Sequence, residues 1–190
     1  MTVDFSNLDA SNVKKLKDFM SRLSENVNTL KIVHFNTPKL LSTRNMFRIN
    51  KYLKVIDLGI LNTSNWSNAD RMFGDCRQLE TIIFKATESW RLLSVYEMFS
   101  GCNALRNVNL PDMIPDGSSI ETMGYMFACC RNLKYLDFST FNITGDTSLD
   151  RAFCDCPELY GNMDYIKMPS NSQSADLIMG QLLGDDWNKE

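Results

Sequence analysis

Apolar residues return along this chain on a fixed schedule. Met98-Phe99-Ser100-Gly101-Cys102 is followed by apolar Leu105, Val108 and Leu110. Met72-Phe73-Gly74-Asp75-Cys76 leads in the same way to Leu79, Ile82 and Phe84, and Met126-Phe127-Ala128-Cys129-Cys130 to Leu133, Leu136 and Phe138. Ala152-Phe153-Cys154-Asp155-Cys156 leads to Leu159, and Met46-Phe47 to Leu53, Ile56 and Leu58. The anchors Phe47, Phe73, Phe99, Phe127 and Phe153 are separated by 26, 26, 28 and 26 residues. A repeat of this length predicts a solenoid, in which each unit buries its apolar face only against its neighbours.

Counted from each anchor, apolar residues occupy −7, −4, −1, 0 and +3, a spacing that predicts a short helix with one buried face. The apolar pair at +9 and +11 has the two-residue period of a strand. Each unit therefore reads as helix, tight turn, strand and polar loop. The expected architecture is an α/β solenoid, with a parallel sheet on one face and short helices on the other. About six units fill residues 1–165, the first with extra residues. Residues 166–190 then form a cap helix, opening at Ser174 and ending at Gly184, with an acidic tail.

The motifs carry a resemblance. Ile56-Asp57-Leu58 and Leu136-Asp137-Phe138-Ser139-Thr140-Phe141, the loop Thr63-Ser64-Asn65-Trp66, and Met98-Phe99 with Gly101-Cys102 resemble the repeat of BspA-like leucine-rich-repeat surface proteins of bacteria. The resemblance covers residues 3 to about 160. It implies a curved leucine-rich-repeat solenoid used for protein binding, and it brings no catalytic residues with it.

Composition and charge narrow the functions. The chain has 190 residues, 44% apolar and 23% charged, with a net charge of −3, an ordinary balance for a globular chain. Its Lys and Arg are scattered, which argues against nucleic acid or an anionic membrane as partner. No apolar run is long enough for a membrane-spanning helix. The first residues lack a secretory signal pattern, so a cytoplasmic location is expected for the chain as it stands. A cell-surface location is expected if it is a piece of a longer exported protein.

The six cysteines are even in number, as in a disulfide framework. Cys76, Cys102, Cys130 and Cys156, however, each fall three residues after an anchor, which predicts buried, reduced thiols filling one column. Cys129 and Cys154 lie off that column, and one of them is expected at the surface. No zinc spacing is present.

The +8, +10 and +12 positions should line the exposed sheet face. The +10 column reads Asp4, His34, Asp57, Ile83, Asn109, Asp137, and the +8 column Thr2, Ile32, Val55, Thr81, Asn107, Tyr135. Asp4, His34 and Asp57 as neighbours would suit a metal or an acid–base pair, but solvated polar residues on an open face are the better expectation. No phosphate loop or nucleophile motif accompanies them, so no catalytic residue, metal or cofactor is expected. Apolar groups among polar ones instead suit a protein interface. The candidate partner-binding residues are His34, Val55, Asp57, Ile83, Asn109, Tyr135 and Asp137, with Trp90 in a flanking loop. The expected function is non-enzymatic binding of another protein, in one of two settings. These are a free-standing or mobile-element-encoded inhibitor or effector of a host protein, and a fragment of a cell-surface adhesin.

Overall fold

A computed structural model describes residues 1–184 except 7–8, 15, 17, 19, 22, 34–36, 88–91, 116–119 and 161–162. The chain winds as a parallel-strand β-solenoid. Strands β1 (Thr2–Asp4), β2 (Thr29–Lys31), β3 (Val55–Leu61) and β4 (Thr81–Ala86) form one parallel sheet in that order. Strands β5 (Asn107–Val108), β6 (Tyr135–Asp137) and β7 (Ile166–Lys167) form a second. Short helices α1 (Leu110–Met113) and α2 (Pro157–Tyr160) lie between strands, and α3 (Ser172–Gly184) follows the last one.

The anchors make the core. Phe47, Phe73, Phe99, Phe127 and Phe153 are all fully buried. Their rings stack nearly parallel, with centroids 5.5, 5.4, 5.3 and 6.0 Å apart. Offset stacking of this kind adds to simple area burial. Phe138 closes the column edge-on against Phe127 and Phe153.

The segment from −7 to +3 is not an α-helix, which corrects the expectation of short helices opposite the sheet. It is a chain of three-residue turns shared between coils. Residues at −1, +1 and +3 bond back within their own coil, as in Met98 N–H to Val95 (3.1 Å), Ser100 to Glu97 (3.2 Å) and Cys102 to Phe99 (3.0 Å). Residues at −4, −2, 0 and +2 donate instead to the next coil. Val95 reaches Thr122 O at 3.1 Å, Glu97 reaches Gly124 O at 2.9 Å, Phe99 reaches Met126 O at 2.8 Å, and Gly101 reaches Ala128 O at 2.8 Å. An α-helix would spend every one of these donors on itself. The alternation requires positive φ at −2 and +2, and those values are observed at Arg71 and Asp75, Glu97 and Gly101, Tyr125 and Cys129, and Arg151 and Asp155. Apolar spacing alone does not distinguish this ribbon from a helix, because both return a side chain to the core every three to four residues.

The first coil also differs in register. Its anchor slot is held by Met20, whose N–H reaches Met46 O at 3.0 Å just as Phe47 reaches Met72 O at 2.9 Å. Strand pairing then sets Thr29 against Val55 and Lys31 against Asp57. Asp4 accordingly neighbours Lys31 rather than His34. Ile32, expected on the open face, is fully buried. The cause is a loop shorter than the column assignment assumed, so that Leu30 and Ile32 are the inward pair.

The column cysteines do more than fill space. Each Sγ donates to the carbonyl of the anchor one coil back: Cys76 to Phe47, Cys102 to Phe73 and Cys130 to Phe99 at 3.1 Å, and Cys156 to Phe127 at 3.0 Å. All four are free and buried. Asn50 holds the same slot in its coil, donating to Met20 O and Phe47 O (both 2.7 Å) and accepting from Leu23 N (2.6 Å). Helix α3 packs Ile178 and Leu182 into the same apolar cluster, and Ser174 Oγ bonds Ile143 O at 2.9 Å.

Candidate protein-interaction face

The outer face of the sheets gathers most of the described candidates, but in unequal roles. Val55 and Asp57 lie on β3 opposite Thr81 and Ile83 of β4. Asp57 is occupied: its Oδ1 accepts the Gly59 N–H at 3.0 Å. Asp137 likewise accepts Ser139 N–H at 2.8 Å, with Lys167 Nζ at 3.1 Å from its other oxygen. Asp4 does the same for Ser6 at 2.9 Å. These bonds and the Lys167 charge hold the Asp137 carboxyl below its ordinary range despite its partial burial. The aspartates of this column therefore fasten the exit of the strand, as Asp side chains do in tight turns.

Apolar candidates are differently placed. Ile83 is 49% and Tyr135 40% exposed. Ile83 and Asn109 line a depression of about 380 Å³, together with Ile60, Phe84, Lys85 and Met113. Asn109, Tyr135 and Asp137 line a second, of about 290 Å³. The two share Asn109, so four of the candidate residues border two adjoining depressions. Asn109 is not a strand residue, since it caps α1 by accepting from Asp112 N at 3.4 Å. His34 and Trp90 lie outside the described residues.

Ile60 was not a candidate, and it is the most exposed apolar side chain of this face at 64%. Strict alternation after Ile56 and Leu58 would have turned it inward. A β-bulge shifts the register between Asp57 and Gly59, so that Gly59 pairs Phe84, Ile60 pairs Lys85 and Leu61 pairs Ala86. Gly59 has φ +58°, a backbone state that glycine adopts freely. A glycine inside a strand is the signal that could have revealed the bulge.

The opposite side carries a ladder of charges and rings. Arg71 grips Glu97 through two bonds of 2.8 Å and lies 5.5 Å from the Tyr96 ring centre. Tyr96 meets Tyr125 edge-on, and Arg151 lies over Tyr125. The Arg71 bonds hold the Glu97 carboxyl below its ordinary value. A third depression, of about 400 Å³ beside Leu23, Ile49, Lys51 and Tyr52, lies over the turns rather than the sheet. Cys129 and Cys154 are half-buried. Burial, with Asp155 close by, pushes the Cys129 thiol up, which is the reverse of what a nucleophilic cysteine needs.

Among the described residues, no group of three or more His, Cys, Asp or Glu is arranged to hold a metal ion. Nor is any described helix long and apolar enough to cross a membrane. No curated protein and no solved structure matches the chain. Residues 1–113 and 84–181 each match the family described as "Mycoplasma protein of unknown function, DUF285", overlapping across the middle coils. Together the two matches span nearly the whole repeat array, and the chain belongs to that family.

Proposed function

We propose that this chain is a BspA-like leucine-rich-repeat module that binds another protein through the outer face of its sheets, without catalysis. The observation that carries the reading is the exposure of Ile60, Ile83 and Tyr135 over two adjoining depressions, on a face whose carboxylates Asp57 and Asp137 are engaged internally. Apolar groups ringed by satisfied polar ones are the composition of an interface core and rim. The family match and the repeated parallel coils support the repeat type. The same face serves either setting, an inhibitor or effector of a host protein or a surface-displayed adhesin.

The test is capture of the partner from the native source with wild-type and variant protein. Ile83→Glu and Tyr135→Glu are expected to leave the melting curve within about 0.5 kcal/mol of wild type, as exposed positions do. Both should lose the partner. Arg131→Glu is the control on the turn side, because the Arg131–Asp155 pair is exposed and contributes little. Arg71 is a poor control, since its paired bonds to Glu97 are half-buried. Loss of the partner in Arg131→Glu, with retention in both sheet-face variants, would move the interface to the turns.

A further inference from the structure

The sheet is interrupted at one place. No described strand continues the first sheet beyond β4, and the second begins with only Asn107–Val108 before the chain turns into α1. Pro111, in the first turn of α1, has no N–H to offer a ladder. The depression of about 380 Å³ opens here, over Ile60, Ile83 and Met113. Its volume suits one large side chain and is at the low end for a small-molecule site.

Two features select what would fill it. The Gly59 bulge turns Ile60 outward where a regular strand would bury it, and a side chain at Gly59 would press on Val33 Cγ1 at 3.2 Å. Ile60 thus joins Ile83 in an apolar patch that nothing among the described residues covers. Beside it, in register with Ile60, is Lys85. Each described carboxylate of this face has a neighbour of opposite sign or a hydrogen-bond donor. Asp4 lies between Ser6 and Lys31, Asp57 holds Gly59, Asp112 holds Asn109, and Asp137 holds Lys167. Lys85 is exposed and, among the described residues, has no ion-pair or hydrogen-bond partner.

We propose that the depression at the β4–α1 break docks an extended segment of a partner protein, with one large apolar side chain on Ile60 and Ile83 and a carboxylate close to it in sequence on Lys85. The inference rests on the sheet face being the binding face. An extended segment fits because a second depression adjoins the first at Asn109 and reaches Tyr135 in the next coil, where the side chain of Asn107 can bond a peptide backbone. Lys85 sets specificity and orientation, and the apolar pocket supplies most of the affinity.

The test pans short random peptides displayed on phage against the whole chain, then measures the selected peptides by fluorescence anisotropy. The expected consensus is a large aliphatic or aromatic residue followed within a few positions by Asp or Glu. Ile60→Asp and Lys85→Glu should each weaken such a peptide about tenfold or more, as loss of a central contact does. Replacing the peptide's acid by its amide should weaken binding to wild type but strengthen binding to Lys85→Glu, where it removes a repulsion. Unaltered melting curves establish that the variants are folded, and Lys85→Glu carries the test alone if Ile60→Asp is not. Selection of peptides without the apolar–acid pair, bound less by Tyr135→Glu but equally by Ile60→Asp and Lys85→Glu, would overturn the pocket and keep the face. Peptides indifferent to all three variants would overturn both. No enrichment at all would overturn the pocket, and the partner capture described above then decides the face.

Discussion

At the scale of single residues, the slot three positions after the anchor does chemical work that its hydrophobic company conceals. Cys102 Sγ and its equivalents bring a donor from the next coil to an anchor carbonyl that already accepts an N–H within its own coil. Asn50 donates to two carbonyls and also accepts Leu23 N–H. Asn50→Leu should therefore cost about 2–4 kcal/mol in a denaturant melt, because leaving buried polar groups unpaired costs about 1–3 kcal/mol each. A neutral outcome would mean those carbonyls find other partners. Burial also pushes the Cys76 and Cys156 thiols up to about 12 from an ordinary value of 9.0, and raises Cys102 and Cys130 well above it. The unfolded chain loses these protons first. The stabilisation is thus complete below pH 9 and falls as pH rises from there toward the folded values. Each thiol contributes up to about 1.4 kcal/mol per pH unit. The denaturant midpoint should be level near neutrality and drop steeply above about pH 9. Cys102→Ser, which keeps a donor for Phe73 O, should make the drop shallower.

At the scale of elements, the turn ribbon depends on backbone states that most residues resist. Gly101 has φ +76°, and a Cβ there would lie 3.1 Å from Asp75 Oδ1. Gly74 is one slot earlier in its own coil, with no positive φ and its nearest contact at 3.4 Å. Gly101→Ala should cost about 1–2 kcal/mol, the penalty of a left-handed L-residue, and Gly74→Ala less. Equal losses, measured by thermal melts, would refute the two-site positive-φ pattern. The bulge in β3 is the second such element. Gly59→Ala should destabilise by a similar amount, since φ +58° and the Val33 contact both oppose a side chain.

At the scale of the molecule, the coils share both backbone ladders and one continuous column of rings, so damage to one coil is felt by its neighbours. Phe99 stacks on both Phe73 and Phe127. Phe99→Ala should cost about 3–5 kcal/mol, the usual loss for a buried aromatic. Hydrogen exchange should show protection falling together in β3 and β7, two coils away on either side of the cavity. Loss confined to the coils touching Phe99 would show that the array opens piecewise.

The period, the anchors, the inward pairs of β3, β4 and β6 and the cysteine column were legible in the sequence, because a core position needs an apolar residue in every coil. The parallel sheet followed, since equal units can stack only in register. The character of the opposite side was not legible. Its donors are divided between the same coil and the next, and that division exists only once a neighbour stands about 26 residues away in sequence and one strand spacing away in space. Register in the first coil was misread for a related reason: loop length shows only where strands pair, and Lys31 rather than His34 meets Asp57. The candidate face was legible in Ile83 and Tyr135, which break a polar column. Ile60 was hidden because a bulge reverses its side, and the turn-capping work of Asp57 and Asp137 was hidden because a column of acids looks alike whether it awaits a partner or already holds a backbone N–H. Sequence determines which residues must be inside; only the packed coils decide which of the outside ones are left with nothing to do in the monomer.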